Sequence, residues 1–123
     1  MKKIKAILID VYNRKVEEIE FEQPLEAFWK YLNCRWVTNS QLNENHDVIV
    51  DYEGKMKFPE HFFSINNWRR PTFAGNGIIV GFNERGEWIS NSMNIEEVKK
   101  SVIFFKLKED ENGEKIMIAT PAK

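Results

Sequence analysis

Trp68-Arg69-Arg70, preceded by Asn67 and followed by Pro71, is the group of residues in this sequence with the most chemistry to offer. A guanidinium forks onto a phosphate or a carboxylate, and a neighbouring indole stacks on a base or anchors a protein partner. The plainer alternative is that Trp68 caps the core while the two arginines pair with surface carboxylates, an arrangement that signifies little. Shortly after, Gly75-Asn76-Gly77 forms a turn of the kind whose backbone N–H groups can hold an anion. A phosphate loop, however, needs G-x-x-x-x-G-K-[ST] between a strand and a helix. Here the glycines precede a strand and no Gly-Lys-Ser/Thr follows, so hairpin or bulge chemistry is the better reading. His61, Asn67, Trp68, Arg69, Arg70 and Asn76 are therefore the binding candidates, all on what reads as one displayed loop, 61–77.

Cys34, His46 and His61 are the other groups with reactive potential, and Asp47 and Asp51 could add carboxylates. A thiol nucleophile needs a base in contact and something that lowers its proton affinity. Nothing in the spacing brings these groups together, and no second histidine follows at i+4 on a helix. A single cysteine also excludes an internal disulfide and an all-thiolate zinc site. The expectation is no catalytic residue, no metal and no cofactor, with a Cys/His enzyme as the long shot. Two acidic stretches, 17–22 and 109–114, could imitate nucleic-acid phosphates or draw in a basic partner; solvation and protection of exposed strands is the simpler account.

The elements that must position these residues follow from periodicity. Residues 3–11 are apolar on both faces from Ala6 to Ile9, as in a central strand covered on each side. Residues 16–22 alternate Ile19 and Phe21 with Glu18, Glu20 and Glu22, a half-exposed strand near an edge. Pro24 suits the first turn of a helix, and Leu25, Phe28, Trp29 and Leu32 then recur at i, i+3, i+4, i+7, which predicts a helix over 24–33 with those four buried. Arg35 to Val37 reads as a strand, 39–45 as a polar loop, and 46–52 as another strand. Glu53-Gly54 turns the chain so that 55–58 pairs back as a hairpin arm. Pro59 starts one helical turn through Phe63. Residues 78–82 and 87–90 form strands about the turn Asn83-Glu84-Arg85-Gly86. Asn94 with Glu97 resembles a capping box and opens a short helix, 95–101, with Ile95, Val98 and Val102 on its apolar side. Residues 101–107 and 115–120 close the chain as a hairpin about Asn112-Gly113.

With 123 residues, 42% hydrophobic and 13% aromatic, the chain is long enough to bury one core. Its 18 basic and 19 acidic side chains nearly balance, for a formal charge of -1. Nucleic-acid wrapping calls for a basic excess, so bulk charge disfavours it. The basic start MKKIKAILIDVY has an apolar run too short for a secretory signal or a membrane span, which predicts a soluble cytoplasmic protein. The fold class expected is α+β: a single domain, 1–123, with one mostly antiparallel sheet of about five to seven short strands covered by a main and a short helix.

The order of these features resembles the domain of unknown function 3846 family of small proteins from phages, plasmids and integrated elements. PLEAFWKYL, VIVDYEGKMKFP, SINNWRR and AGNGIIVGFNERGEW carry the likeness, from about Pro24 to Val102. Where the family has Asn directly before Arg, Trp68 here stands between Asn67 and Arg69. The C-terminal hairpin, 103–120, reads as an addition. The resemblance implies a mobile-element origin and an intracellular setting, and no established activity. The function expected is a non-enzymatic binding or adaptor protein that meets a host protein through the 61–77 loop, with Trp68 as anchor. Single-stranded nucleic-acid or nucleotide binding through the same loop is the alternative.

Overall fold

A computed structural model describes residues 3–57, 59–65 and 72–123. Its strands fall into two antiparallel sheets. The first is ordered β2 (Lys15–Phe21), β1 (Ile4–Asp10), β7 (Gly77–Phe82), β4 (His46–Asp51), β3 (Val37–Asn43), with β8 (Trp88–Ile89) pairing onto β7. The second is ordered β10 (Lys115–Thr120), β9 (Val102–Glu109), β5 (His61–Ile65), β6 (Phe73–Ala74). Helix α1 (Pro24–Leu32) covers one face of the first sheet, and the second sheet backs the other. Helix α2 (Ile95–Ser101) packs by β2.

This layering explains why β1 is apolar throughout. Ala6 and Leu8 join Phe28, Leu32, Ile49, Ile78 and Val80 beneath α1. Ile7 and Ile9 join Val48, Phe63, Ile79 and Phe104 between the sheets. Each such side chain contributes roughly 1.5–3 kcal/mol before entropy is charged. β2 lies at the sheet edge, as its Glu alternation predicts. Asn94 caps α2, its Oδ1 accepting the N–H groups of Glu96 (2.8 Å) and Glu97 (3.3 Å).

Several expectations are corrected. Among the described residues, ten strands in two sheets replace five to seven in one. Residues 39–45 are largely strand, because β3 is an edge strand whose Asn39, Gln41 and Asn43 side chains are exposed while its backbone pairs with β4. Gly54–Lys57 is a 3-10 turn rather than a hairpin arm. His61–Ile65 is a strand rather than a helical turn or loop, with Phe62, Phe63 and Ile65 buried against both neighbours. Most of the apolar stripe of α1 is narrower than predicted: Ala27, Phe28 and Leu32 are buried, while Leu25 and Trp29 are 48% and 45% exposed. A nine-residue helix lying on a sheet touches it along one line, and Phe28 sits on that line.

Two glycines fix how the layers meet. A Cβ on Gly77 would fall 2.5 Å from Phe63 Cζ, so β7 and the Phe63 ring approach as closely as backbone allows. A Cβ on Gly54 would lie 3.1 Å from the Ala74 carbonyl oxygen, which presses the turn after β4 against β6.

Candidate functional site

The carboxylate of Asp51, at the end of β4, organises one end of the molecule. Its Oδ1 accepts the Glu53 N–H at 2.9 Å and its Oδ2 takes the Lys57 ammonium at 2.7 Å. That pair bends the chain into the 3-10 turn, which Met56 closes by donating its N–H to the Glu53 carbonyl (3.0 Å). The hydrogen bond it donates to Asp51 raises the Lys57 pKa. Beside this turn, α1 ends at Asn33 in the left-handed conformation (φ 51°), and the Cys34 N–H donates to the Trp29 carbonyl at 3.3 Å. The Trp36 carbonyl in turn accepts the Tyr52 N–H at 2.8 Å, which holds the two segments side by side.

Shallow clefts open on either side of the Asp51–Lys57 pair. One, of about 510 Å³, lies between Trp29, Cys34, Arg35, Trp36 and Lys57. The other, of about 260 Å³, lies between Asp51, Tyr52, Met56, Thr72 and Phe73. Around them Trp36, Tyr52 and Met56 are each about two-thirds exposed, and Trp29 nearly half. Large apolar side chains are thus set in solvent round a polar hub, with Arg35, Lys55 and Lys57 at the margin.

The sequence-predicted residues are dispersed in role. Asn67, Trp68, Arg69 and Arg70 lie outside the described residues. Asn76 lines a neighbouring recess, but its side chain serves the fold: Oδ1 accepts the Val11 N–H (2.9 Å) and Nδ2 donates to the Tyr31 carbonyl (3.2 Å). It thereby ties the end of β1 to the end of α1. His61 is half-buried, its ring 5.0 Å from that of Tyr12. Trp29, Trp36, Tyr52 and Met56 were missed by sequence reasoning. Trp29 fitted an apolar helical stripe, and Trp36 an apolar strand position; neither pattern says what faces water.

Cys34 lines the first cleft, yet burial, and then the nearby Asp51 charge, push its thiol pKa up, the opposite of what a nucleophile needs. His46 is buried elsewhere. Its Nε2 accepts the Ser92 N–H (3.1 Å) and lies 3.2 Å from the Ser92 hydroxyl, while its Nδ1 is 3.0 Å from Asn43 Oδ1. This resembles a nucleophile, base and orienting amide in sequence. The ring's one lone pair, however, already receives a backbone N–H, so it is occupied in holding Ser92 rather than free to take a proton from it. Burial lowers the His46 pKa and keeps the ring neutral; burial raises that of its neighbour Asp47. Among the described residues no group of three or more His, Cys, Asp or Glu side chains is placed to hold a metal ion. Nor is any helix among them long and apolar enough to cross a membrane.

Residues 4–103 match a family model whose description is Domain of unknown function (DUF3846), a span that begins earlier than Pro24 and stops at the second residue of β9. No curated protein and no solved structure matches the chain.

Proposed function

We propose, from the premise that this chain belongs to the domain of unknown function 3846 family, that it acts by binding rather than by catalysis. Its partner is a protein of the cell that carries the mobile element, met in the cytoplasm. One observation carries this reading: Trp29, Trp36, Tyr52 and Met56 stand exposed around the Asp51–Lys57 turn. Tryptophan, tyrosine and methionine are the residue types that anchor protein interfaces, because they bury much area for little loss of side-chain freedom. The chain that carries Asn67 to Arg70 rejoins the described structure at Thr72, which lines the same surface.

The test is a pull-down with purified wild-type chain against Trp36→Ala and Tyr52→Ala. Both rings lie in solvent, so the melting temperature should stay unchanged while recovery of the partner falls at least tenfold. Undiminished recovery from both variants would remove this surface from the interface. Single-stranded nucleic-acid binding is the second reading, favoured by the same aromatics flanked by Arg35, Lys55 and Lys57. Fluorescence anisotropy with a labelled oligothymidine separates the two. Binding that collapses as salt rises supports nucleic acid, and an absence of binding supports a protein partner.

A further inference from the structure

The second sheet ends in a strand that is built differently from the other sheet margins. β2 carries Glu17, Glu18 and Glu20, β3 is polar and irregular between Gln41 and Asn43, and β6 is two residues long. Each is a recognised way of preventing one sheet from adding to another. β10 has these devices only at its ends, Lys115 at its first position and Pro121 just past its last, and its middle is open. It pairs with β9 without a break from Lys115↔Glu109 to Thr120↔Phe104, and Ile116, Met117 and Ile118 are 45%, 41% and 36% exposed.

The direction of its free hydrogen-bonding groups follows from the hairpin. The Asp110 N–H donates to the Glu114 carbonyl at 2.8 Å, which makes that pair a hydrogen-bonded one. Hydrogen-bonded pairs alternate along an antiparallel ladder, so Ile116, Ile118 and Thr120 direct their N–H and C=O groups toward β9. The Leu107 N–H agrees: opposite Met117 in the ladder, it points the other way and donates to the Glu60 carbonyl at 2.8 Å. Lys115, Met117 and Ala119 therefore offer theirs to the open side.

We infer that β10 pairs antiparallel with β10 of a second copy of this chain, about a twofold axis at Met117, to give one continuous sheet across a dimer. Met117 then faces its own equivalent, Lys115 faces Ala119, and Ile116 faces Ile118 on the opposite face of the sheet. Every outward N–H and C=O of those three positions finds a partner. Pro121, which has no N–H, ends the ladder at Gly113 of the other copy. Charge fits the same register. The acidic tip with Asp110, Glu111 and Glu114 of one copy arrives beside Lys123 of the other, whose backbone N–H is held by the Arg14 carbonyl at 2.9 Å. The proposal is independent of the surface around Asp51.

Sedimentation velocity of the intact chain over a range of concentrations reads the assembly, and Met117→Pro tests the strand. Its N–H points outward, so proline there should abolish the dimer and leave the monomer folded. A Met117→Cys variant in a Cys34→Ser background gives a second readout: mild oxidation should link two chains through residue 117, while Ile89→Cys in the same background should not. A monomer at every concentration overturns the proposal. So does a dimer that survives Met117→Pro, or one in which residue 117 does not cross-link.

Discussion

Ile78, Ile79 and Val80 of β7 and Ile116, Met117 and Ile118 of β10 are nearly the same tripeptide in chemical character, yet the first three are fully buried and the second three are 36–45% exposed. Both sit in regular antiparallel pairing. What differs is cover. β7 lies between β1 and β4 with α1 on one face and the second sheet on the other, whereas β10 is the outermost strand and follows the family-matched region. Apolar content alone therefore does not make a core; a strand becomes core when the topology supplies a layer for each of its faces.

Substitutions can break or sharpen that contrast. Ile79→Ala should show the largest effect, a loss of about 2–5 kcal/mol in urea unfolding, because it leaves a void between two sheets that cannot close. A loss under about 1 kcal/mol would show the interior to be far more pliable than β7 implies. Next comes Asn76→Ala, which strands the Val11 N–H and the Tyr31 carbonyl and should cost about 1–3 kcal/mol. Ile118→Ala, measured on dilute protein, should change stability by no more than about 0.5 kcal/mol. A larger loss would mean that β10 is covered after all. Lys57→Ala removes an ion pair whose ammonium is half in water, and should register at about 1 kcal/mol or less.

Buried polar groups sharpen the comparison through pH. His46 is held neutral in the fold, its pKa below the ordinary value of about 6.5. The unfolded chain then binds more protons than the folded one, so stability is complete above about pH 6.5 and falls as the solution is acidified below it. Asp47, with its pKa raised by burial, acts in the opposite sense, since its folded carboxyl keeps its proton to higher pH than an unfolded one. His46 is read most cleanly just below pH 6.5, where an unfolded imidazole begins to take up its proton. His46→Asn should flatten the stability profile there, whatever it does to the absolute level. An unchanged slope would show that His46 titrates alike in both states.

Much of this architecture was legible in the sequence, because periodicity reports faces directly. β1, β2, α1, β4, β7, α2 and the closing hairpin all follow from period 2, period 3.6, Pro24, the Asn94 cap and Asn112-Gly113. The misplaced pieces share one cause. In β3, polar Thr38, Asn39 and Gln41 belong to a strand whose place is set by pairing with β4, and no local pattern records a partner. In β5, Pro59 suggested a helical start, but Phe62 and Phe63 are needed by two different faces of the second sheet. The surface round Asp51 escaped notice for a related reason. Trp29 and Trp36 come from opposite sides of a helix end, Tyr52 and Met56 from a turn, and only the folded chain gathers them. Asn76 was named as a binding candidate; in the structure its side chain joins two backbones.

The contact between Gly77 and the Phe63 ring restricts how this chain can change over generations. A methyl group added at position 77 while the ring is present has nowhere to go, whereas a smaller side chain at position 63 would open the space first. Divergence at this point is therefore open in one order only, and a lineage that has filled position 77 cannot regain the aromatic ring without retracing its steps.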